Sequence, residues 1–416
     1  MKRALALLLV SALSLSLLSG CSTGPAAEQL SAEPISLTAQ ELAAHGPDVQ
    51  DACDALSSFG LELLQNTEQS GESTLLSPLS VILALSMAAN GAEGETLAQF
   101  QEALGGVSLE ALNAACQSLL SDYRQLGGST RASIANSLWV DPEGQISEEF
   151  IGRCMGIYGA EVFQGELSAP AVVDNVNRWV SKQTEGLIPK LVQQPFPEDT
   201  AALLINALYL NNTWELAFDP NSTYPREFTN SGGQVERMDF LHHSFTDLLY
   251  LQGEGAQGVV LPYDDGRLAF AAILPDSPDL SGWLDSLDGN ALSRLVQGAE
   301  EQRFFCLALP KFETEWSGSL QKILKDMGLE DAFTPGQADF SRMGDHPNGY
   351  YLSEVLHAAK LQVNEKGTEA AAATLVAPGS GAPPPEQGVE LLLDRPFLYG
   401  IFDRQNGVPL FLGTFE

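Results

Sequence analysis

Basic residues are scarce in this sequence: 21 Lys and Arg stand against 54 Asp and Glu, a formal net charge of −33. No Lys/Arg cluster of the kind that neutralises phosphates is present, which excludes nucleic acid and disfavours polyanions as partners. The acidity keeps the chain soluble and favours encounter with basic partners. Cysteine is also rare, and Cys21, Cys53, Cys116, Cys154 and Cys306 are spaced too widely for a CxxC metal or redox motif. The G-x-S-x-G elbow, the H-E-x-x-H helix and the Walker loop are all missing. His242-His243 has no further ligand at a suitable spacing, so no metal, cofactor or catalytic centre is expected. A membrane span of roughly 20 apolar residues is absent as well.

What the N-terminus holds is shorter. Lys2 and Arg3 precede Ala4–Leu18, which is apolar apart from serines and fits the core of an export signal. It ends in Leu18-Ser19-Gly20-Cys21, which resembles the lipobox of bacterial lipoproteins. The resemblance implies a signal peptide over 1–20 and a lipid anchor on Cys21, holding the protein at the outer face of a bacterial membrane; plain secretion is the alternative. Ser22–Pro47 has little periodic hydrophobicity and reads as a tether, 21–48 in all.

Beyond it, 44% hydrophobic residues supply a sizeable core. Ser77-Pro78 reads as an N-cap with proline at the first helical position. Val81, Ile82, Leu85 and Ala89 then come at helical spacing, with Gly91 as a stop. Glu95–Leu104, Ser108–Tyr123 and Val172–Val192 read as further helices. Arg131–Val140, Val259–Pro262, Leu268–Leu274, Phe304–Leu309 and Leu356–Asn364 read as strands. Ala201–Leu210 is apolar almost throughout, as a strand buried on both faces would be. Helical spacing returns at Leu320, Leu324 and Met327. There is no internal repeat and no regular βαβ alternation, so the fold class is α+β, with one domain over 49–416. Thr374–Val389, rich in Pro and Gly with Glu386 its one charge, reads as a long exposed loop.

Several stretches resemble one family, the serpins. They are Leu76-Ser77-Pro78-Leu79-Ser80, Ala135-Asn136-Ser137-Leu138-Trp139, Asn206-Ala207-Leu208-Tyr209 with Trp214, Leu309-Pro310-Lys311-Phe312, and the tail from Arg395-Pro396-Phe397 to Leu412-Gly413. The most specific stretch runs from Val363 to Thr374. Within it Glu365, Gly367, Thr368, Glu369, Ala370, Ala371, Ala372, Ala373 and Thr374 resemble the hinge of an inhibitory serpin's reactive loop. Side chains alternate along a strand, so Thr368, Ala370, Ala372, Thr374 and Val376 share one face, all small or β-branched and uncharged. Such a segment can join the middle of a sheet without burying a charge. Gly367 suits a pivot.

The resemblance implies helices on three β-sheets with a reactive-centre loop over about 365–390. It implies a suicide-substrate inhibitor that traps a serine, or cysteine, protease by loop insertion, and so no enzyme. A count forward from Glu365 places the scissile bond at Gly381–Ala382, with Ser380–Gly381 an alternative and Ala382–Pro383 disfavoured by its proline; a count back from Arg395-Pro396-Phe397 points nearer Pro385. Small residues there suit an elastase- or subtilisin-like target, and the protein is expected to be a monomer. Pro378 departs from the pattern, because it removes a backbone donor from the inserted strand. Ser80, Asn206 and His357 match a polar cluster beneath the sheet, and Trp214, Lys311 and Glu365 match the place where the loop first enters. A non-inhibitory serpin, acting as carrier, chaperone or adhesion module, is the alternative.

Overall fold

The structure is a computed structural model that describes residues 27–69, 71–368 and 388–416. Helices and strands mix irregularly along it, an α+β fold as the pattern predicts. The first large sheet has seven strands, in the order Ala27–Leu30, Glu161–Gly165, Arg131–Val140, Ala202–Thr213, Gly367–Thr368, Leu352–Val363 and Phe312–Ser319. The second has nine, threaded by the 19-residue strand Val235–Gly253, which is interrupted at Phe245, whose φ is 55°. The third is a ribbon of Gln145–Ile146 against Gly344–Asp345.

The apolar run at Ala202–Thr213 shows why the seven-stranded sheet is covered on both faces. Leu204, Leu208 and Leu210 enter the main core, whereas Leu203, Ile205 and Ala207 pack with Val172, Val176 and Trp179 of the Pro170–Gln183 helix. The alternation is the strand's period of two. On the main-core side lies the Pro78–Ala89 helix, apolar apart from Ser80 and Ser86 and buried at every position. It packs against both Ala202–Thr213 and Pro409–Phe415, and so fills the space between the two large sheets.

Two expectations need correction. The tether ending at residue 48 does not hold over its described part. Ala27–Leu30 adds an edge strand to Glu161–Gly165, and Ile35 N–H donates to Gly152 O at 2.8 Å. Thr38 and Glu41 then close a capping box on the helix Ala39–Ala44, and the next helix starts at Gly46. Backbone pairing at a sheet edge needs no hydrophobic period, so the sequence pattern could not reveal it. The helix expected over Val172–Val192 stops at Gln183, because Glu185 and Gly186 turn left-handed, with φ 50° and 86°.

Candidate functional site at the parting of the central sheet

Ala202–Thr213 and Leu352–Val363 lie side by side and parallel, yet their ladder covers only part of their length. It runs from Ala202/Leu352 to Ala207/Ala358 and stops. Higher up, Gly367–Thr368 sits between them, antiparallel to both: Gly367 faces Thr213, and Thr368 faces Asn212 on one side and Val363 on the other. Between these two zones, Leu208–Asn211 and Ala359–Gln362 face each other without pairing. Among the described residues, the two strands thus part above Ala207 and Ala358, and the upper end of the parting, or slot, is occupied by Gly367–Thr368.

The upper end is built from backbone and aromatic contacts. Trp214 stacks on Tyr263 at 4.8 Å, and its indole N–H donates to Asn364 O at 2.8 Å. Trp214 N–H donates to Lys366 O, and Phe218 N–H to Glu365 O. The Glu365 carboxylate accepts from Thr223 Oγ1 at 3.0 Å and pairs with Lys311 Nζ at 3.0 Å. Its own backbone N–H, then Lys311 and Thr223, hold its pKa below the usual carboxylate value although burial opposes them. Thr368 is 1% exposed and shares a short hydrogen bond with the Tyr263 hydroxyl. Gly367 is needed here for space, since a Cβ on it would lie 1.9 Å from Asn212 O. Its φ is not among the positive ones.

The lower end is a closed polar cluster. His357 is fully buried, and its Nε2 accepts the Ser77 N–H at 3.0 Å. The neutral ring's proton therefore sits on Nδ1, which donates to Asn206 Oδ1 at 3.3 Å. Asn206 Nδ2 donates to Ser80 O at 2.7 Å and to Asn136 Oδ1 at 2.6 Å. Burial pushes the His357 pKa down to about 3, so the ring is neutral at any ordinary pH. Nothing in this cluster can act as a nucleophile with a base. It ties three strands, Arg131–Val140, Ala202–Thr213 and Leu352–Val363, to the helix beneath them.

The sequence profile of the family described as Serpin (serine protease inhibitor) matches residues 54–416. The chain belongs to the serpin family. Human Serpin B9 is 32% identical over 87% of this serpin and 98% of its own length. The thermophilic serpin tengpin in its native state superposes with a TM-score of 0.82, at 31% identity, over 93% of this chain and 98% of that one. The latent state of tengpin superposes less well, with a TM-score of 0.73, at 32% identity over 87% and 96%. This serpin has the family's α+β fold, and its family is one of protease inhibitors rather than catalysts.

The structure thus brings Trp214, Lys311, Glu365, Gly367 and Thr368 together at the top of the slot, and Ser80, Asn206 and His357 at its foot. Ser80 contributes its backbone carbonyl; the serine hydroxyl in the network is that of Ser77, which donates to Leu410 O and accepts the Ser80 N–H. Ser77 and Asn136 are additions to the expected cluster, although both lie in the motifs that carry the resemblance. Glu369, Ala370, Ala371, Ala372, Ala373, Thr374, Gly381 and Ala382, and likewise Cys21 and Pro378, lie outside the described residues. Among the described cysteines none is bonded: Cys53, Cys116 and Cys154 are buried, and burial raises the thiol pKa of the first two to about 12. His242 stacks on Tyr224 and His243 on Phe218.

Proposed function

We propose that this serpin is an inhibitor that traps its protease by drawing the severed loop into the slot between Ala202–Thr213 and Leu352–Val363. The seating of Thr368 between Asn212 and Val363 carries the reading, because it sets the register for the rest of the loop. Antiparallel pairing continued from there sets Thr374 between Asn206 and His357, and Pro378 opposite Ala202, where the strand begins. The inserted segment then has one rung for each residue of Ala202–Asn212, about 35 Å of strand at roughly 3.3 Å per residue. Pro378 falls on the last rung, where a missing donor costs little. Thr374 arrives where the His357–Asn206 contact now holds the strands together.

The energetics favour this direction. Insertion breaks the Ala202–Ala207 ladder and forms two new ones, at about 1 kcal/mol net per bond, on the order of 10 kcal/mol in all. The uncut state is then held kinetically. On this register Gly381–Ala382 lies just past the foot of the sheet. A small primary residue there points to an elastase- or subtilisin-like protease. The export signal and Cys21 support a lipid-anchored protein outside a bacterial membrane.

The test is to mix the protein with an elastase-like and a subtilisin-like protease and to look for an SDS-resistant complex, then weigh the released C-terminal peptide. A complex with a peptide starting at Ala382 is expected. Cleavage without any complex supports the carrier or chaperone reading instead. Membrane fractionation of Cys21→Ala, expected to be released, tests the anchor.

A further inference from the structure

Below the slot, the ends of the sheet strands surround a cleft of about 440 Å³ lined by Asp141, Glu143, Glu166, Glu198, Asp199 and His346. No Lys or Arg lines it among the described residues. One ligand atom from each of Asp141, Glu143 and His346 lies within 4.8 Å of the others, and His346 Nε2 is 3.7 Å from Asp141 Oδ1. The His346 side chain is only 6% exposed, and its Nε2 has no hydrogen-bond partner. A buried imidazole nitrogen left open among carboxylates is a costly arrangement without a ligand.

We propose that Asp141, Glu143 and His346 bind a divalent ion of the zinc type, which ties the foot of the sheet shut. One imidazole and two carboxylates suit zinc, whereas calcium takes oxygen ligands alone. Asp141 and the Glu143 backbone are held in place before any ion arrives. Asp141 N–H donates to Ala201 O at 3.1 Å, and its Oδ1 accepts the Glu143 N–H at 2.7 Å. Gln164 Nε2 donates to Asp141 O and Gly144 O, and the Tyr350 ring lies 4.9 Å from the His346 ring. His346 Nδ1 accepts the Asn348 N–H at 3.2 Å, which puts the neutral ring's proton on Nε2. Zinc displaces that proton while Nδ1 takes one up, so binding exchanges the Asn348 contact, two residues along an exposed turn, for the metal bond.

The location gives the site its consequence, and this part rests on the insertion reading above. Asp141 and Glu143 continue Arg131–Val140, on the Ala202–Thr213 side of the parting line. His346 lies on the segment leading into Leu352–Val363, on the other side. The two-residue ribbon of Gln145–Ile146 and Gly344–Asp345 pairs these two segments, extended by the Ser147 N–H donating to Met343 O at 2.9 Å. An ion bound here reinforces that ribbon and resists opening.

The test uses the full chain stripped with chelator, alongside His346→Gln and Glu143→Gln, each first shown to be folded by circular dichroism. Zinc chloride is titrated against a chromophoric chelator, with calcium chloride in parallel. One zinc per wild-type chain is expected, weakened about tenfold or more in each variant, with calcium unable to compete. X-ray absorption of the zinc form should show a single imidazole among oxygen ligands. No saturable zinc, or zinc held equally by both variants, overturns the site. Zinc bound as described that fails to raise the melting temperature of the uncut protein overturns the latch. None of these readouts involves a protease, so they stand apart from the outcome of the inhibition assay.

Discussion

His357 Nδ1 and Asn206 Oδ1 lie 3.3 Å apart across the line between the two strands that already flank Thr368. The ring makes both of its contacts only while His357 is neutral, because Nε2 must accept the Ser77 N–H while Nδ1 donates to Asn206. The polar lock beneath the sheet is therefore sensitive to acid.

Burial lowers the folded His357 pKa to about 3, while the unfolded ring titrates near 6.5. Between those values the unfolded chain binds more protons, so stability rises with pH, is full above about 6.5 and drains as pH falls towards 3. His357 alone should cost the uncut protein about 2 kcal/mol at pH 5. His243, lowered to about 4 by burial, adds to the loss. Urea midpoints measured at pH 7 and pH 5 check this, and His357→Gln should flatten the dependence.

Thr368→Arg should turn the inhibitor into a substrate. Thr368 is buried beside Tyr263, and a guanidinium there has no partner for its charge. An unpaired buried charge costs roughly 3 kcal/mol or more, enough to shift the partition between trapped and released protease by about a hundredfold. The measurement is the ratio of SDS-resistant complex to cleaved inhibitor.

Gly367→Ala should unseat the top of the slot without disturbing the rest of the fold. Its Cβ meets Asn212 O and the Thr213 Cα, neither of which can step aside as a side-chain tip would. Overpacking of this kind costs about 1–3 kcal/mol. Hydrogen exchange should rise at Gly367–Thr368 and stay unchanged at His357.

Gly156→Ala should expel the N-terminal strap. A Cβ at Gly156 would lie 2.2 Å from Ile35 O, which has no space to retreat while Ile35 N–H holds Gly152 O. Limited proteolysis should then cut between Ala27 and Ser36 faster than in the wild type, with the remainder of the chain intact.

Much of the site is legible in the sequence because its demands are local. A strand that must not bury charge needs small residues on alternate positions, and Thr368, seated in the sheet, obeys that rule. Asn206 and His357 are visible through motifs rather than physics, since a buried amide and a buried imidazole give no periodic signal. Gly367 also has a need for space, which only the neighbouring Asn212 carbonyl reveals. The Ala27–Leu30 strand escapes because backbone pairing with Glu161–Gly165 is blind to side-chain type. Asp141, Glu143 and His346 escape because the pair and the histidine are far apart along the chain, and only the fold brings them together.

The most direct test of loop insertion is a thermal melt of the uncut protein beside the same protein nicked within Thr374–Pro385 by a protease that it does not trap. Insertion predicts that the nicked chain survives to a clearly higher temperature than the intact one, because the new central strand completes the ladder from Asn212 down to Ala202. Equal or lower heat resistance in the nicked chain would contradict it.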